Sequence, residues 1–315
     1  MKLLMTRPLP TPVLDAARQT FDVSVREDTS VLTGDELRAS LRDYDAILPT
    51  LGDLYSAQVF ADVPEPRAKM LANFGVGFNH IDVTAAKTAG LFVTNTPGAV
   101  TDATADIAMT LMLMSTRRAG EGERLVRAGA WEGWHPTQML GLHLSGKHVG
   151  IVGMGRIGQA IARRCHFGFG MKVSYFNRSI KKMDFPADQI ATLNELAAQV
   201  DVLVVAVPGG STKHLVDADV LKSMRPQAHL INIARGEVVE EESLIAALQS
   251  RQIAGAGLDV YEFEPKVPDA LKAMENVVLL PHLGTATLEV RTSMGLMAVE
   301  NAVAFAKGEA LPNPV

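Results

Sequence analysis

One glycine-rich segment has the spacing of a turn that binds a dinucleotide: Gly153-Met154-Gly155-Arg156-Ile157-Gly158. It directly follows an apolar run and opens a helical run from Arg156 to His166, so its backbone amides and the helix N-terminus would face an anion. Gly153 and Gly155 would let the backbone approach a pyrophosphate, and Gly158 would let the helix pack closely on the strand. An ordinary strand-to-helix turn is the alternative, but the order of strand, turn and helix favours a dinucleotide site.

The residues after the next strand indicate which dinucleotide binds. That strand ends at Asn177, about 20 residues past the last glycine, where an NAD-binding fold usually carries Asp or Glu for the ribose 2′-hydroxyl. A carboxylate there would repel a 2′-phosphate, whereas Asn177 is neutral and Arg178 and Ser179 can donate hydrogen bonds to it. The segment therefore favours NADP over NAD. The alternative is that Arg178 belongs, with Lys181 and Lys182, to a solvated basic loop.

Three later segments place polar residues beside strand ends, where open α/β sheets collect ligands. They are INIARGEVVE at 231–240, GLDVYEFEP at 257–265 and LLPHLGTAT at 279–287. With these segments the chain resembles the D-isomer-specific 2-hydroxyacid dehydrogenases over nearly its whole length, with the motifs in the family's order. The WEGWHP segment at 131–136 and the NRS at 177–179 are most similar to the glyoxylate/hydroxypyruvate reductase branch.

The resemblance implies a catalytic set of Arg235, Glu264 and His282. Reduction of a 2-oxoacid needs a proton on the carbonyl oxygen near neutral pH, and imidazole suits that delivery, so we expect His282 to be the acid/base. Glu264 would favour the imidazolium and orient its ring, and Arg235 would grip the substrate carboxylate with its planar fork. Each residue taken alone could be an ordinary loop or surface residue. Glu262 is the rival of Glu264, which we prefer because the family's glutamate directly precedes the proline.

The resemblance also implies further contacts to substrate and cofactor. The backbone amides of Val76 and Gly77, which follow a predicted strand, would bind the substrate carboxylate, and Leu51 would line the pocket with Arg235 and His282. The paired glycines of the PGGSTKH segment at 208–214 depart from the commoner family loop. Asp259 would anchor the nicotinamide carboxamide, and the cofactor would also be bordered by Thr104, Pro208, Thr212 and Ile233.

The WEGWHP segment implies a homodimer by the same resemblance. In the resembling branch it is an arm that crosses to the other subunit and brings a tryptophan towards the substrate pocket. Trp134 is our choice for that role, although buried packing is the default for Trp131 and Trp134.

Short apolar runs alternate with helical patterns, and this rhythm predicts parallel sheets. In the first hundred residues, strands are predicted at 3–6, 22–25, 45–49, 69–74 and 91–94. Thr11 with Pro12 opens one helix there, and Thr33 with Glu36 predicts a capping box for another. A single long helix is predicted from Asp102 to Arg127. A second series of strands follows at 148–153, 172–177, 201–207, 228–234, 256–260 and 276–280, and a last helix is predicted from about Glu289 to Lys307, ending at Gly308.

These elements predict an α/β protein of two Rossmann-like or flavodoxin-like domains with parallel sheets. We expect a dinucleotide-binding Rossmann domain at 100–285. The substrate-binding domain is expected to be discontinuous in sequence, at 1–99 and 286–315. A chain of 315 residues with 47% hydrophobic residues has enough material for two cores.

Composition argues against several classes of protein. The formal net charge of −5 is spread along the chain, so nucleic acid is not the expected partner. The single cysteine, Cys165, has no disulfide partner and no zinc-binding spacing, which fits a reducing cytoplasm and predicts no metal site. No run approaches about 18 consecutive apolar residues, and the first residues lack a cleavable signal, so we expect a cytoplasmic protein with no membrane partner.

Together these features predict NADPH-dependent reduction of a small 2-oxoacid, such as glyoxylate or hydroxypyruvate, to the D-2-hydroxyacid. The same chemistry on a bulkier 2-oxoacid, such as phenylpyruvate or a sugar-derived ketoacid, is one alternative. A dinucleotide-sensing corepressor of the same fold is another, but the chain has neither a disordered tail nor an NAD-type acidic residue. A formate or phosphite dehydrogenase would prefer NAD and a substrate without a 2-oxo group.

Overall fold

Two separate parallel sheets organise the chain. The computed structural model describes residues 1–315 and divides into two units, of which the first comprises Met1–Val100 with Thr285–Val315 and the second comprises Thr101–Gly284. The predicted fold class, α/β with two parallel sheets, is confirmed. No helix combines the length and the apolar character that crossing a membrane requires.

The first unit contains a five-stranded sheet in which every pairing is parallel, with the order β2-β1-β3-β4-β5. Its strands are β1 (Lys2–Met5), β2 (Asp22–Val25), β3 (Ala46–Leu48), β4 (Met70–Ala72) and β5 (Phe92–Thr94). The helices between them are α1 (Thr11–Arg18), α2 (Gly34–Asp43), α3 (Ala57–Ala61) and α4 (Val83–Thr88). The capping box predicted at the start of α2 is present: the Thr33 side chain accepts from the Glu36 amide, and the Glu36 carboxylate accepts from the Thr33 amide.

The second unit begins with two helices where the sequence predicted one. The helices are α5 (Thr101–Thr116) and α6 (Ala119–Arg127), and the prediction of a continuous helix over 102–127 is wrong. The chain breaks because Arg118 adopts a left-handed φ of 52°. The carbonyl of Thr116 accepts a hydrogen bond from the Leu142 amide at 2.7 Å, so a distant segment satisfies a backbone group at the end of α5.

The sheet of the second unit has seven parallel strands in the order β12-β11-β10-β9-β6-β7-β8. They are β6 (His148–Val152), β7 (Lys172–Phe176), β8 (Asp188–Gln189), β9 (Val202–Val205), β10 (His229–Asn232), β11 (Gly255–Leu258) and β12 (Val277–Leu279). The sequence prediction missed β8, which is two residues long. The strand order reverses between β6 and β9, and ligands of open α/β sheets bind outside the strand ends at such a switch point.

The remaining helices cover this sheet, and one returns to the first unit. Those of the second unit are α7 (Arg156–Arg163), which continues as a π-helical turn over Arg164–Gly168, α8 (Leu193–Gln199), α9 (Ala218–Ser223), α10 (Glu241–Gln249) and α11 (Asp269–Lys272). The last helix, α12 (Leu288–Lys307), ends at Gly308 with a φ of 69°, as its sequence predicted. Its residues Ala298, Val299 and Ala302 share a buried core with Leu3 and Met5 of β1. The core of the first unit is therefore formed by both of its chain segments.

Candidate active site

The glycine-rich turn between β6 and α7 uses each of its three glycines differently. A side chain at Gly153, where φ is 95°, would lie 2.7 Å from the Ala206 carbonyl oxygen, and one at Gly158 would lie 2.1 Å from the Gly153 carbonyl oxygen. At Gly155 no heavy atom lies within 4 Å of the same position. The turn is thus closely packed on two sides and open at Gly155, next to the first residues of α7. This open cradle of backbone fits a phosphate group.

The first residues of α7 lie at this opening. Arg156 is exposed and Ile157 is half-buried, directly after the exposed Gly155. The eight-residue helix starts here without a side-chain cap, so its first amides are free to bind an anion.

Asn177, at the end of β7, connects this turn to the residues that follow it. Its Oδ1 accepts a hydrogen bond from the Met154 amide at 3.1 Å, and its Nδ2 donates to the Ser179 carbonyl at 2.7 Å. Arg178 and Ser179 are exposed. An aspartate could make the first of these hydrogen bonds but could not donate the second. The carboxamide therefore fixes the turn at 178–179 against the glycine-rich segment.

His282 and Glu264 form a hydrogen-bonded pair. Nδ1 of His282 lies 2.9 Å from Oε2 of Glu264, and the other carboxylate oxygen accepts from the Tyr261 amide at 3.1 Å. Burial raises the pKa of the Glu264 carboxyl, but the hydrogen bond and charge of His282, the Tyr261 amide and the charge of Arg235 outweigh burial, so the pKa lies below its ordinary value. The hydrogen bond to Glu264 engages Nδ1 of His282, so Nε2 is the ring nitrogen that can contact a ligand.

Arg235 follows β10, in a turn that packs against the segment carrying Glu264. A side chain at Gly236 would lie 1.8 Å from the Tyr261 backbone, so only glycine allows this approach. Burial lowers the pKa of the Arg235 guanidinium, while the charges of Glu264 and Glu237 act in the opposite direction. Arginine nevertheless stays protonated in proteins, so a cation lies beside the His282–Glu264 pair.

The carboxylate of Asp259 accepts hydrogen bonds from the backbone that follows His282. Its two oxygens accept hydrogen bonds from the Leu283 amide at 2.6 Å and the Gly284 amide at 2.8 Å. The Thr104 hydroxyl donates to the Gly284 carbonyl at 3.2 Å. Burial raises the pKa of Asp259 despite these hydrogen bonds. Both predicted cofactor residues thus hold the segment 283–284 in this structure.

The candidate residues of the first unit lie in loops at strand ends. The segment 73–77 follows β4, and the Asn73 side chain donates to the carbonyls of Gly75 and Gly77, both at 3.0 Å. The Val76 carbonyl accepts from the Asn95 side chain at 2.9 Å. Leu51 lies in the turn after β3 and is 39% exposed. Asn73 and Asn95 therefore fix the loop that carries Val76 and Gly77.

The two tryptophans lie in the irregular segment between α6 and β6. Trp131 is 53% and Trp134 is 79% exposed, so the default expectation of buried packing is wrong for a single chain. Trp131 donates a hydrogen bond to the Gln138 side chain. Trp134 has no side-chain hydrogen bond.

Comparison with known proteins agrees with these motifs. Residues 109–284 match the model of the D-isomer specific 2-hydroxyacid dehydrogenase NAD binding domain. The chain belongs to this family. The glyoxylate reductase of Thermococcus onnurineus (strain NA1) is 42% identical, with 100% of this chain and 95% of that protein covered.

Solved structures agree over the whole length of the chain. A protein from Thermus thermophilus is 39% identical, with a TM-score of 0.92 and 100% of both chains covered. The NADPH-dependent glyoxylate/hydroxypyruvate reductase of Sinorhizobium meliloti, in complex with NADP and malonate, is 37% identical, with a TM-score of 0.86 and coverage of 100% of this chain and 96% of that one. The resemblance inferred from the sequence is confirmed.

In this 2-hydroxyacid dehydrogenase the loop at 208–214 lies against Arg235. A side chain at Gly209 would lie 2.9 Å from Cγ of Arg235, and the Thr212 hydroxyl donates to the Pro208 carbonyl across the loop. Ile233, two residues before Arg235, is buried in the core of the second unit. Pro208, Thr212 and Ile233 are thus neighbours of the Arg235 segment.

Sequence reasoning missed one residue that shapes the dehydrogenase site. Asn232, the last residue of β10, is buried, and its side chain accepts from the Ala234 amide and donates to the Arg235 carbonyl, both at 3.1 Å. These two hydrogen bonds fold the turn that presents Arg235. A polar residue at the end of an apolar strand was the available signal.

Proposed function

We propose that this enzyme reduces a small 2-oxoacid of the glyoxylate or hydroxypyruvate type to the D-2-hydroxyacid, with NADPH as the reductant. The observation that carries the proposal is the His282–Glu264 pair at 2.9 Å beside the charge of Arg235. A proton donor and a carboxylate-binding cation in one place suit a substrate in which a carbonyl is next to a carboxylate. The names of the relatives, glyoxylate reductase and NADPH-dependent glyoxylate/hydroxypyruvate reductase, support the substrate class.

Each polar group then has a defined role in the reduction. His282 delivers a proton from Nε2 to the carbonyl oxygen, because Nδ1 is engaged by Glu264. Glu264 orients the ring and stabilises its protonated form. Arg235 binds the carboxylate and polarises the carbonyl through its planar fork. In the first unit, the amides of Val76 and Gly77 offer further donors to a carboxylate, and Leu51 contributes apolar surface.

The dinucleotide belongs at the glycine-rich turn, and when bound it supplies the hydride. The open cradle at Gly155 and the first amides of α7 suit its pyrophosphate, with Arg156 and Ile157 bordering it. Arg178 and Ser179, held by Asn177, suit a 2′-phosphate and favour NADPH over NADH. Further contacts to the nucleotide are proposed for Thr104, Gly153, Gly158, Pro208, Thr212, Ile233 and Asp259.

A homodimer is the proposed assembly, with the Trp134 arm reaching the substrate pocket of the other subunit. The exposure of Trp134 supports this, since a large aromatic side chain left in water is a common feature of protein interfaces. We propose a cytoplasmic location because the single cysteine is a free thiol, as a reducing compartment allows.

A spectrophotometric assay tests the proposed function. Nicotinamide absorbance is followed with NADPH or NADH against glyoxylate, hydroxypyruvate, phenylpyruvate and a sugar-derived 2-oxoacid. We expect turnover with the two small oxoacids and a higher kcat/KM with NADPH. His282→Ala should bind NADPH normally but lose turnover. Absence of turnover with every oxoacid, or a near-normal rate for His282→Ala, would contradict the proposal.

A further inference from the structure

A second histidine–glutamate pair lies beside the first on the same segment of chain. Nε2 of His214 lies 3.0 Å from Oε1 of Glu262, two residues before Glu264. The Glu262 side chain is only 11% exposed, so this carboxylate is largely removed from water. Both histidines also adopt a left-handed backbone, with φ values of 52° at His214 and 53° at His282. A left-handed φ costs energy for a residue other than glycine, so a specific contact must hold His214 in place.

The loop that ends at His214 lies near both the turn proposed to bind the dinucleotide and Arg235, which is proposed to bind the substrate. It follows β9, and a side chain at Gly153 of the glycine-rich turn would lie 2.6 Å from Cγ1 of Val207 where the loop begins. Its second residue, Gly209, lies against the Arg235 side chain. The loop therefore begins directly after a residue that contacts the turn proposed to bind the dinucleotide, and it contacts Arg235 at Gly209.

Glu237 fixes the backbone of this loop at two points. Its carboxylate accepts from the Gly210 amide at 2.6 Å, and its carbonyl accepts from the His214 amide at 2.8 Å. These bonds attach the loop to the residues after Arg235. They do not attach it to the segment that carries Glu264, and the His214 side chain spans that gap with its hydrogen bond to Glu262.

The charges around Glu262 show why a donor is needed there. The Glu262 amide donates to the Glu241 carboxylate at 3.3 Å, and burial together with the charge of Glu262 raises the pKa of Glu241. Two carboxylates thus lie close together in a partly buried place. Nζ of Lys213 lies 3.8 Å from Oε1 of Glu262 and contributes a positive charge, but it is too distant for a hydrogen bond. His214 supplies the direct donor.

We propose that His214 is a positioning residue for the dinucleotide: through Glu262 it holds the 208–214 loop in the conformation that borders the cofactor and links that loop to the Glu264 segment. This inference rests on the proposed function, because it takes the glycine-rich turn and the loop as the dinucleotide site. It goes beyond that function in giving a task to two residues outside the proposed catalytic set. Glu262 is the partner of His214 and Glu264 is the partner of His282.

A double-mutant cycle tests the link, with dinucleotide binding measured by nicotinamide fluorescence in the absence of oxoacid. His214→Asn keeps a residue that tolerates a left-handed φ but is too short to reach Glu262, and Glu262→Ala removes the acceptor. We expect each single variant to raise the Kd for NADPH about tenfold, and the double variant to raise it no further. The KM for the oxoacid at saturating NADPH should change less than about twofold, a split that general loosening of the fold would not produce.

Three further variants test whether the hydrogen bond between His214 and Glu262 is itself responsible. Glu262→Gln keeps an oxygen that accepts from His214 and should restore most of the affinity. Lys213→Ala should have a small effect, because it leaves the hydrogen bond intact. His214→Gly is well suited to the backbone and serves as a second variant if His214→Asn melts at a lower temperature.

The outcomes distinguish this inference from the proposed function. Unchanged NADPH affinity in His214→Asn and His214→Gly, or additive losses in the double variant, would overturn the role of His214 while leaving the function intact. A wild-type enzyme that binds neither NADPH nor NADH would overturn both.

Discussion

Asp259 holds His282 through the backbone. The Asp259 carbonyl accepts the His282 amide at 2.9 Å, and its carboxylate accepts the two amides that follow. Three hydrogen bonds from one residue thus shape the loop in which His282 adopts its left-handed φ. The direction of the imidazole depends on a residue that does not contact it.

Asp259→Asn should disturb this loop more than its small size change suggests. The new amide would place an NH2 group opposite a backbone N–H, so one donor loses its acceptor. We expect a loss of about 1–3 kcal/mol in the free energy of unfolding and at least a tenfold fall in kcat. Urea denaturation and steady-state kinetics measure the two effects. The exposed residue Asp269 provides the control Asp269→Asn, and equal stability of the two variants would contradict the expectation.

Glu264→Gln should change the pH dependence of the reduction. The pKa of Glu264 lies below its ordinary value, so its charge is present at neutral pH and is lost only as the pH falls through that lowered value. A neutral amide in its place no longer stabilises a protonated imidazole. The wild-type rate should therefore decline in acid as Glu264 gains its proton, whereas the rate of Glu264→Gln should be lower at neutral pH and should lack that decline. Glu242→Gln, in the first turn of α10, is the control, and an unshifted profile for Glu264→Gln would exclude the charge effect.

Asn177→Asp should reduce the preference for NADPH. The carboxylate would repel a 2′-phosphate and would lose the hydrogen bond donated to Ser179. We expect the ratio of NADPH to NADH affinity to fall at least tenfold, and Arg178→Ala to weaken NADPH about tenfold with little effect on NADH. Lys182→Ala tests whether any cation in this loop suffices. Equal losses for both dinucleotides would show that the 2′-phosphate is not bound there.

His229 should make the stability of the protein fall in mild acid. It is 6% exposed, its Nδ1 lies 2.8 Å from the Ser115 hydroxyl, and burial lowers its pKa to about 4. The unfolded chain binds a proton near the ordinary pKa and the folded chain does not, so stability is complete above about pH 6.5 and declines as the pH falls toward 4. The total decrease in the free energy of unfolding from this one histidine is about 3 kcal/mol.

Unfolding free energies of His229→Asn at several pH values measure this effect. The variant should show a shallower decline between about pH 6.5 and 4, whatever its absolute stability. His143→Asn removes an exposed histidine outside the Trp134 arm and should leave the slope unchanged. Parallel slopes for the wild type and His229→Asn would contradict the assignment.

The sequence predicted most strands and the glycine-rich turn because these depend on local patterns. Apolar runs form buried strands, and any turn of this kind requires glycines for the same steric reason. The break at Arg118 was missed although Gly120 and Gly122 follow it closely, because both glycines lie inside the second helix and the contact with Leu142 that helps to create the break is distant in sequence. The strand β8 has two exposed residues and no apolar run.

Within the candidate site, the sequence proposed individual residues but could not predict all of their pairings. Arg235, Glu264 and His282 could be named from short segments in the family's order. The position before the proline favoured Glu264 over Glu262, and the structure pairs Glu264 with His282 and Glu262 with His214. His214 and Glu262 are 48 residues apart in the chain, and no local pattern connects them.

The discontinuity of the first unit has a consequence for synthesis. The core around Leu3 and Met5 includes residues of α12, and the Val315 amide donates to the carbonyl of Val93 in β5. A ribosome makes the whole contiguous second unit before it makes α12. The strands of the first unit, which are made first, therefore keep part of their apolar surface uncovered while the second unit is free to fold. A pause before residue 285, or a chaperone that shields β1 and β4, would act on this nascent intermediate and leave the finished enzyme unaffected.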